Sequence, residues 1–169
     1  GAGLGLVESY LLVDKAYIFR CGCHVAEVDV EEETGLVDLV RYTLVSDFGT
    51  VLNPMLLQGQ LHGGIAQGIG QIMYEDCLYD SDSGQLLTGS FMDYCIPRAT
   101  HLPMFDWGQT ETFCTTNPLG VKGCGESGPT AALPAVMNAV LDALSDCETA
   151  GLDMPVTPEK VWRVMQSAE

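Results

Sequence analysis

Apolar and polar residues alternate with period two along His24-Val25-Ala26-Glu27-Val28-Asp29-Val30, and the pattern predicts a strand over 17–30. Glu31-Glu32-Glu33-Thr34-Gly35 reads as a solvated acidic turn in which Gly35 is free to take a left-handed conformation. A second extended run over 36–46 completes an antiparallel hairpin with one face on a core. At Asn53-Pro54 the signal changes to a helix start, since Asn suits the cap and Pro the first helical position. That helix is predicted to reach residue 74 or 75. A turn follows at 80–84, extended structure at 85–91, an irregular loop around Pro97 and Pro103, and a strand at 105–113. The chain then predicts a helix over 129–144, with Pro134 in its first turns where a missing N–H matters least. After a loop at 145–154 comes a short helix over 155–166, opened by Thr157-Pro158-Glu159 and anchored by Trp162 and Val164. Residues 1–16 read as a loose segment ahead of one domain, 17–169.

Two stretches do not fit ordinary helix or loop composition. The first long helix carries Gly59, Gly63, Gly64, Gly68 and Gly70, each of which costs about 1 kcal/mol against Ala. Either another backbone crosses the helix there or a flat ligand lies against it. Gln60, Gly64, Gln67 and Gln71 recur at helical spacing, so one face carries amides, which both donate and accept hydrogen bonds. The second stretch is Asn117-Pro-Leu-Gly-Val-Lys-Gly-Cys-Gly-Glu-Ser-Gly-Pro-Thr130. Its glycines permit close approach of another body, and a glycine loop entering a helix N-terminus is a ready anion or cofactor cradle. Glu126 is the one carboxylate in it. Two readings stand side by side: a partner in capping the following helix, or a base whose pKa is raised by desolvation.

Charge and cysteine usage narrow the function classes. The 169 residues fit one domain, 47% hydrophobic and 18% charged, which is globular composition. A net charge of −16 repels nucleic acid and anionic membrane, and no apolar run reaches the length of a bilayer span. The chain opens Gly1-Ala2-Gly3 without Met, as a trimmed or excised piece would. Among seven cysteines only Cys21 and Cys23 stand close, with no C-x2-C pair, which speaks against a zinc ribbon or an iron–sulfur cluster held by this chain. Reduced, mostly buried thiols in a cytoplasmic protein are the expectation. His24, His62 and His101 show no ligand spacing, and no side-chain metal site is expected.

Gly59-Gln60-Leu61-His62-Gly63-Gly64-Ile65-Ala66-Gln67-Gly68-Ile69-Gly70 is similar to the Gly-Gln-x-x-Gly-Gly-x-x-Gln-Gly-x-Gly helix of the molybdenum subunits of the xanthine dehydrogenase, aldehyde oxidase and aerobic carbon monoxide dehydrogenase family. Residues 117–132 resemble that family's active-site loop, Phe91-Met92-Asp93-Tyr94-Cys95-Ile96-Pro97 its Asp-Tyr-x-x-Pro segment, and Pro155-Val156-Thr157-Pro158 its ending. The likeness covers residues 23–165 and matches the C-terminal portion of a subunit several times longer. It implies an α+β fold, a mixed sheet packed with helices in a two-layer molybdenum-cofactor-binding domain. It also implies Glu126 as the base beside the metal, with Gln60, Gly63, Gly64, Gln67, Lys122, Gly123, Cys124 and Gly125 binding molybdopterin, as a cytosine dinucleotide. In such enzymes the dithiolene, not a side chain, holds molybdenum, and water-derived oxygen enters an aldehyde, an N-heterocycle or carbon monoxide. Implied partners are the remainder of the molybdenum subunit, which completes the cradle and the substrate funnel, and iron–sulfur and FAD domains or subunits. Arg20-Cys21-Gly22-Cys23 departs from the small-residue strand start of many relatives. The alternatives are a module that binds cofactor or a partner without turnover, and a structural domain whose glycines serve packing.

Overall fold

The computed structural model describes residues 18–167. The segment 1–16 and the expected strand start at Tyr17 lie outside them. Strand β1 (Gly22–Val30) pairs antiparallel with β2 (Val37–Asp47), setting Gly22 opposite Ser46 and Val30 opposite Val37. Gly35 closes the turn at φ +73°, tucked against the Trp162 backbone, where any side chain would collide. The register shifts so that Glu27 faces Arg41 and Val28 faces Leu39, leaving Val40 as the extra residue of a bulge. This resets the alternation and turns both Leu39 and Tyr42 into the core.

Strand β3 (Phe105–Thr110) adds to the other edge of β2 and runs parallel to it, giving the order β1-β2-β3. It stops before residue 113, the expected end. A parallel partner requires a crossover, and the chain between β2 and β3 supplies one through helix α1 (Pro54–Met73). Asn53 caps α1, its side chain accepting from Leu56 N at 3.1 Å. Leu57, Leu61, Ile65, Ile69 and Ile72 form the buried stripe of α1 at helical spacing. Each such side chain contributes roughly 1.5–3 kcal/mol on burial.

Helix α2 (Pro129–Ala143) packs on both α1 and β1 through Ala132, Val136 and Val140. Helix α3 (Pro158–Gln166) starts at a Thr157 cap and buries Val161 completely. Of the expected anchors, Val164 is half-buried and packs against the core, while Trp162 is 41% exposed, because the residue that faces the core is one position earlier. Val156 N donates to Ile72 O at 2.6 Å and ties the approach to α3 onto the end of α1. The mixed sheet with helices against it is the α+β architecture expected.

Two further expectations are corrected. Residues 85–91 form no strand of the sheet; Leu86 makes one isolated bridge to Tyr79 around a turn organised by Asp80, whose Oδ1 accepts from Asp82 N and Ser83 N. The local turn satisfies the segment, so it never reaches a sheet edge. The cysteines are not mostly buried: Cys21, Cys23, Cys77 and Cys95 are exposed and Cys114, Cys124 and Cys147 half-buried. The exposed ones sit at a strand start and in loops, where no core is available to take a thiol.

Candidate functional site

Where β2 ends, one carboxylate gathers three segments of the chain. Asp47 Oδ1 accepts from Gly49 N at 2.9 Å and Thr112 N at 3.1 Å, while Oδ2 accepts from Lys122 Nζ at 2.8 Å. The bonds from Lys122, Gly49 and Thr112 hold the Asp47 carboxyl well below the usual carboxylate range. Backbone bonds run alongside: Lys122 N to Phe48 O at 2.9 Å, and Thr50 N to Gly120 O at 3.0 Å. Asn117 clamps Val121 from both sides, its amide donating to Val121 O at 3.0 Å and accepting from Val121 N at 3.1 Å. The glycine loop is thus fastened to the sheet as far as Lys122.

At its other end the loop is fastened to α1. A Cβ on Gly128 would lie 2.6 Å from the Gly64 carbonyl carbon, and one on Gly64 would lie 2.7 Å from Pro129 Cδ. Gly68 meets Ala132 Cβ in the same way at 2.8 Å. These glycines therefore serve the crossing of α1 by α2. Gly59, Gly63, Gly123 and Gly125 are different: a Cβ on any of them meets nothing within 4 Å. Gln60 Nε2, next to Gly59, donates to Gly125 O at 3.3 Å across 65 residues of sequence and so brings the two stretches to one edge.

The structure sorts the expected site residues into three groups. Gln60, Gly63, Gly123, Gly125 and Glu126 are exposed, and Gln60 meets the backbone of Gly125. Gly64 is buried under α2, Cys124 is half-buried against the hydrophobic core, and the Lys122 ammonium is taken up by Asp47. Gln67 sits further along α1, lining a cavity of about 360 Å³ with Gln71, Glu75 and Tyr94. There the Tyr94 hydroxyl donates to Glu75 Oε2 at 2.6 Å, and that bond, with burial, pushes the phenol up to about 12. The α2 N-terminus is not an open anion cradle, since Gly128 is packed beneath Gly64 and Pro129 has no N–H to offer. Nor does Glu126 cap α2, whose cap residue is Gly128 without a side-chain bond. Glu126 is exposed, so the desolvating enclosure expected around it is not supplied by the described residues.

Several contributors carried little sequence signal. Asp47 and Asn117 are short polar residues near Gly or Pro, which marks them as turn formers and no more. Arg20 now has a local role, donating from Nη1 to Gly123 O at 3.2 Å. Ser127 and His62 each keep a buried polar atom, Oγ and Nε2, without a partner among the described residues. Also among the described residues, there is no group of three or more His, Cys, Asp or Glu placed to hold a metal ion, and no helix is long and apolar enough to cross a membrane.

The edge suits a flat organic group that offers and accepts hydrogen bonds, with open glycines to lie against, an amide at Gln60 and a carboxylate at Glu126. A family model described as the molybdopterin cofactor-binding domain matches residues 10–103, which include all of α1. The chain belongs to this family, the cofactor-binding domains of the molybdenum oxidoreductases related to xanthine dehydrogenase, aldehyde oxidase and carbon monoxide dehydrogenase. It is 41% identical over 146 residues to the nicotine 6-hydroxylase large subunit of Paenarthrobacter nicotinovorans, covering 86% of this chain and 18% of that protein. It is 34% identical to the carbon monoxide dehydrogenase large chain of Hydrogenophaga pseudoflava, over 97% of this chain and 20% of the relative. The solved Cu,Mo carbon monoxide dehydrogenase superposes with a TM-score of 0.83 at 32% identity, covering 88% of this chain and 19% of that one. The chain spans about a fifth of the length of the relatives it matches.

Proposed function

We propose that this chain forms one wall of the cofactor cradle in a molybdenum hydroxylase-type oxidoreductase and supplies its general base, Glu126. The observation that carries the reading is the Gln60–Gly125 bond, which brings the α1 motif and the glycine loop to one edge with open glycines on both sides. Gln60 and the exposed backbone of Gly59, Gly63, Gly123 and Gly125 line the wall for molybdopterin, which we assign as the cytosine dinucleotide form. Gln67 extends the same wall toward the Tyr94 cavity. Molybdopterin with molybdenum, when bound, supplies the two-electron redox centre at which water-derived oxygen joins the substrate carbon. The chain's own part is to seat that group and to take a proton: the Glu126 carboxylate accepts it from the water that provides the oxygen.

The substrate is a small electrophilic carbon compound, an aldehyde, an N-heterocycle or carbon monoxide. The rest of the molybdenum subunit covers the open edge and closes the substrate funnel, and iron–sulfur and flavin domains or subunits remove the electrons in a cytoplasmic hetero-oligomer. Glu126→Gln tests the base directly. In the assembled enzyme it retains normal molybdenum content and loses about 10²–10⁴-fold in turnover, the range for a positioned base. Turnover above about a tenth of wild type would contradict the assignment and favour a wall that binds cofactor without contributing a base.

A further inference from the structure

We propose that Asp47 and Lys122 act as one positioning unit for the loop that carries Glu126, and that the Lys122 ammonium is not a ligand of the cofactor. The inference rests on the Glu126 reading and adds a residue that the α1 motif and the glycine loop do not contain. Between Lys122 and Gly128 the backbone is held by Arg20 on Gly123 O, Gln60 on Gly125 O, a turn from Ser127 N to Cys124 O at 3.1 Å, and a long bond from Thr130 N to Glu126 O at 3.4 Å. The span 123–127 runs between two fixed ends, the Asp47–Lys122 pair upstream and the Gly64–Gly128 crossing downstream, with Cys124 packed against the core between them. Release of the upstream end frees the carboxylate of Glu126 to wander. Both members of the pair are largely buried, with side chains 11% and 9% exposed. Turning the ammonium toward a ligand would leave the Asp47 carboxylate buried without its counter-charge, a costly arrangement. Asp47 also holds Gly49 N and Thr112 N, so the same carboxylate sets the loop against the ends of β2 and β3.

The test compares D47N, K122M and the double variant D47N/K122M in the complete enzyme that carries this chain. Hydrogen–deuterium exchange across 123–127 is read beside molybdenum content and turnover. Each single variant is expected to speed exchange of those amides by about tenfold as the loop end opens locally. The double variant is expected to be no worse than a single variant, a departure from additivity of about tenfold, as befits partners in one ion pair. If the single variants do not assemble, the double variant decides, since it leaves no buried charge unpaired: fast exchange supports the proposal and wild-type exchange overturns it. Loss of molybdenum in K122M with wild-type exchange, or wild-type behaviour of D47N in every readout, would also overturn it. E126Q serves as the separating control. It leaves exchange unchanged, so coupled exchange with an active E126Q enzyme would refute the base and leave the positioning unit standing.

Discussion

A Cβ at Gly64 would lie 2.7 Å from Pro129 Cδ, whereas one at its neighbour Gly63 would meet nothing within 4 Å. The two glycines share a helix and a helix-propensity cost of about 1 kcal/mol each, but only one has a reason inside the chain. Gly64 and Gly68 let α2 cross α1, and the crossing places Gly128 at the foot of the glycine loop. Gly59 and Gly63 bring no such return to the fold. Gly123 and Gly125, in the glycine loop that Gln60 touches, are equally open. One glycine-rich helix thus has two separable sides, a packed side that builds the domain and an open side that we propose seats the cofactor.

Breaking the packed side has the largest effect on stability. Gly64→Ala is expected to destabilise by about 1–3 kcal/mol through overpacking against Pro129 and Gly128, seen as a lower urea midpoint. An unchanged midpoint would mean that α2 yields easily and that the crossing is not tightly specified. Next in size is the link between the two sides of the edge. Gln60→Ala removes the donor to Gly125 O and costs about 0.5–1.5 kcal/mol, with lower cofactor occupancy or turnover in the assembled enzyme. Gln85→Ala, whose amide reaches only Leu86 O next to it, leaves both unchanged. Equal behaviour of the two would remove the special status of Gln60.

The smallest expected signal is a pH dependence at Asp47, whose contribution is present at neutral pH and is lost in acid. Its folded-state pKa lies below the ordinary Asp value of about 3.9, so its stabilising contribution is fully present above that value. It fades as pH falls through the depressed folded-state value. The stability gap between wild type and D47N should stay constant from about pH 7 to 5 and close progressively below about 4. A gap that stayed the same down to pH 2 would show that the carboxylate charge is not what Asp47 contributes.

Much of the domain was legible in the chain because its signals are local. The hairpin follows from alternation around Gly35, and α1 from the Asn53-Pro54 start and its i, i+4 aliphatic stripe. What escaped depends on contacts distant in sequence. Asp47 and Lys122 are 75 residues apart, and no spacing rule joins them. The parallel direction of β3 is set by the crossover, not by its six residues. Val161 took the anchoring place expected of Trp162, since size alone does not say which residue of an amphipathic helix faces in. The glycines of α1 could not be divided between packing and an open edge until α2 was placed. Glu126 was expected to be enclosed, and the described residues leave it open.

The most direct test of the open edge is molybdenum content in a complete enzyme carrying Gly63→Leu. Nothing within 4 Å of a Cβ at Gly63 opposes the start of a side chain, and a helix-interior Gly replaced by Leu gains helix propensity. The expected result is a folded, assembled variant, thermally at least as stable as wild type, with molybdenum far below one per active site because the new side chain occupies the cofactor's proposed place. Full molybdenum content in that variant would contradict the account and return Gly63 to a residue without a ligand.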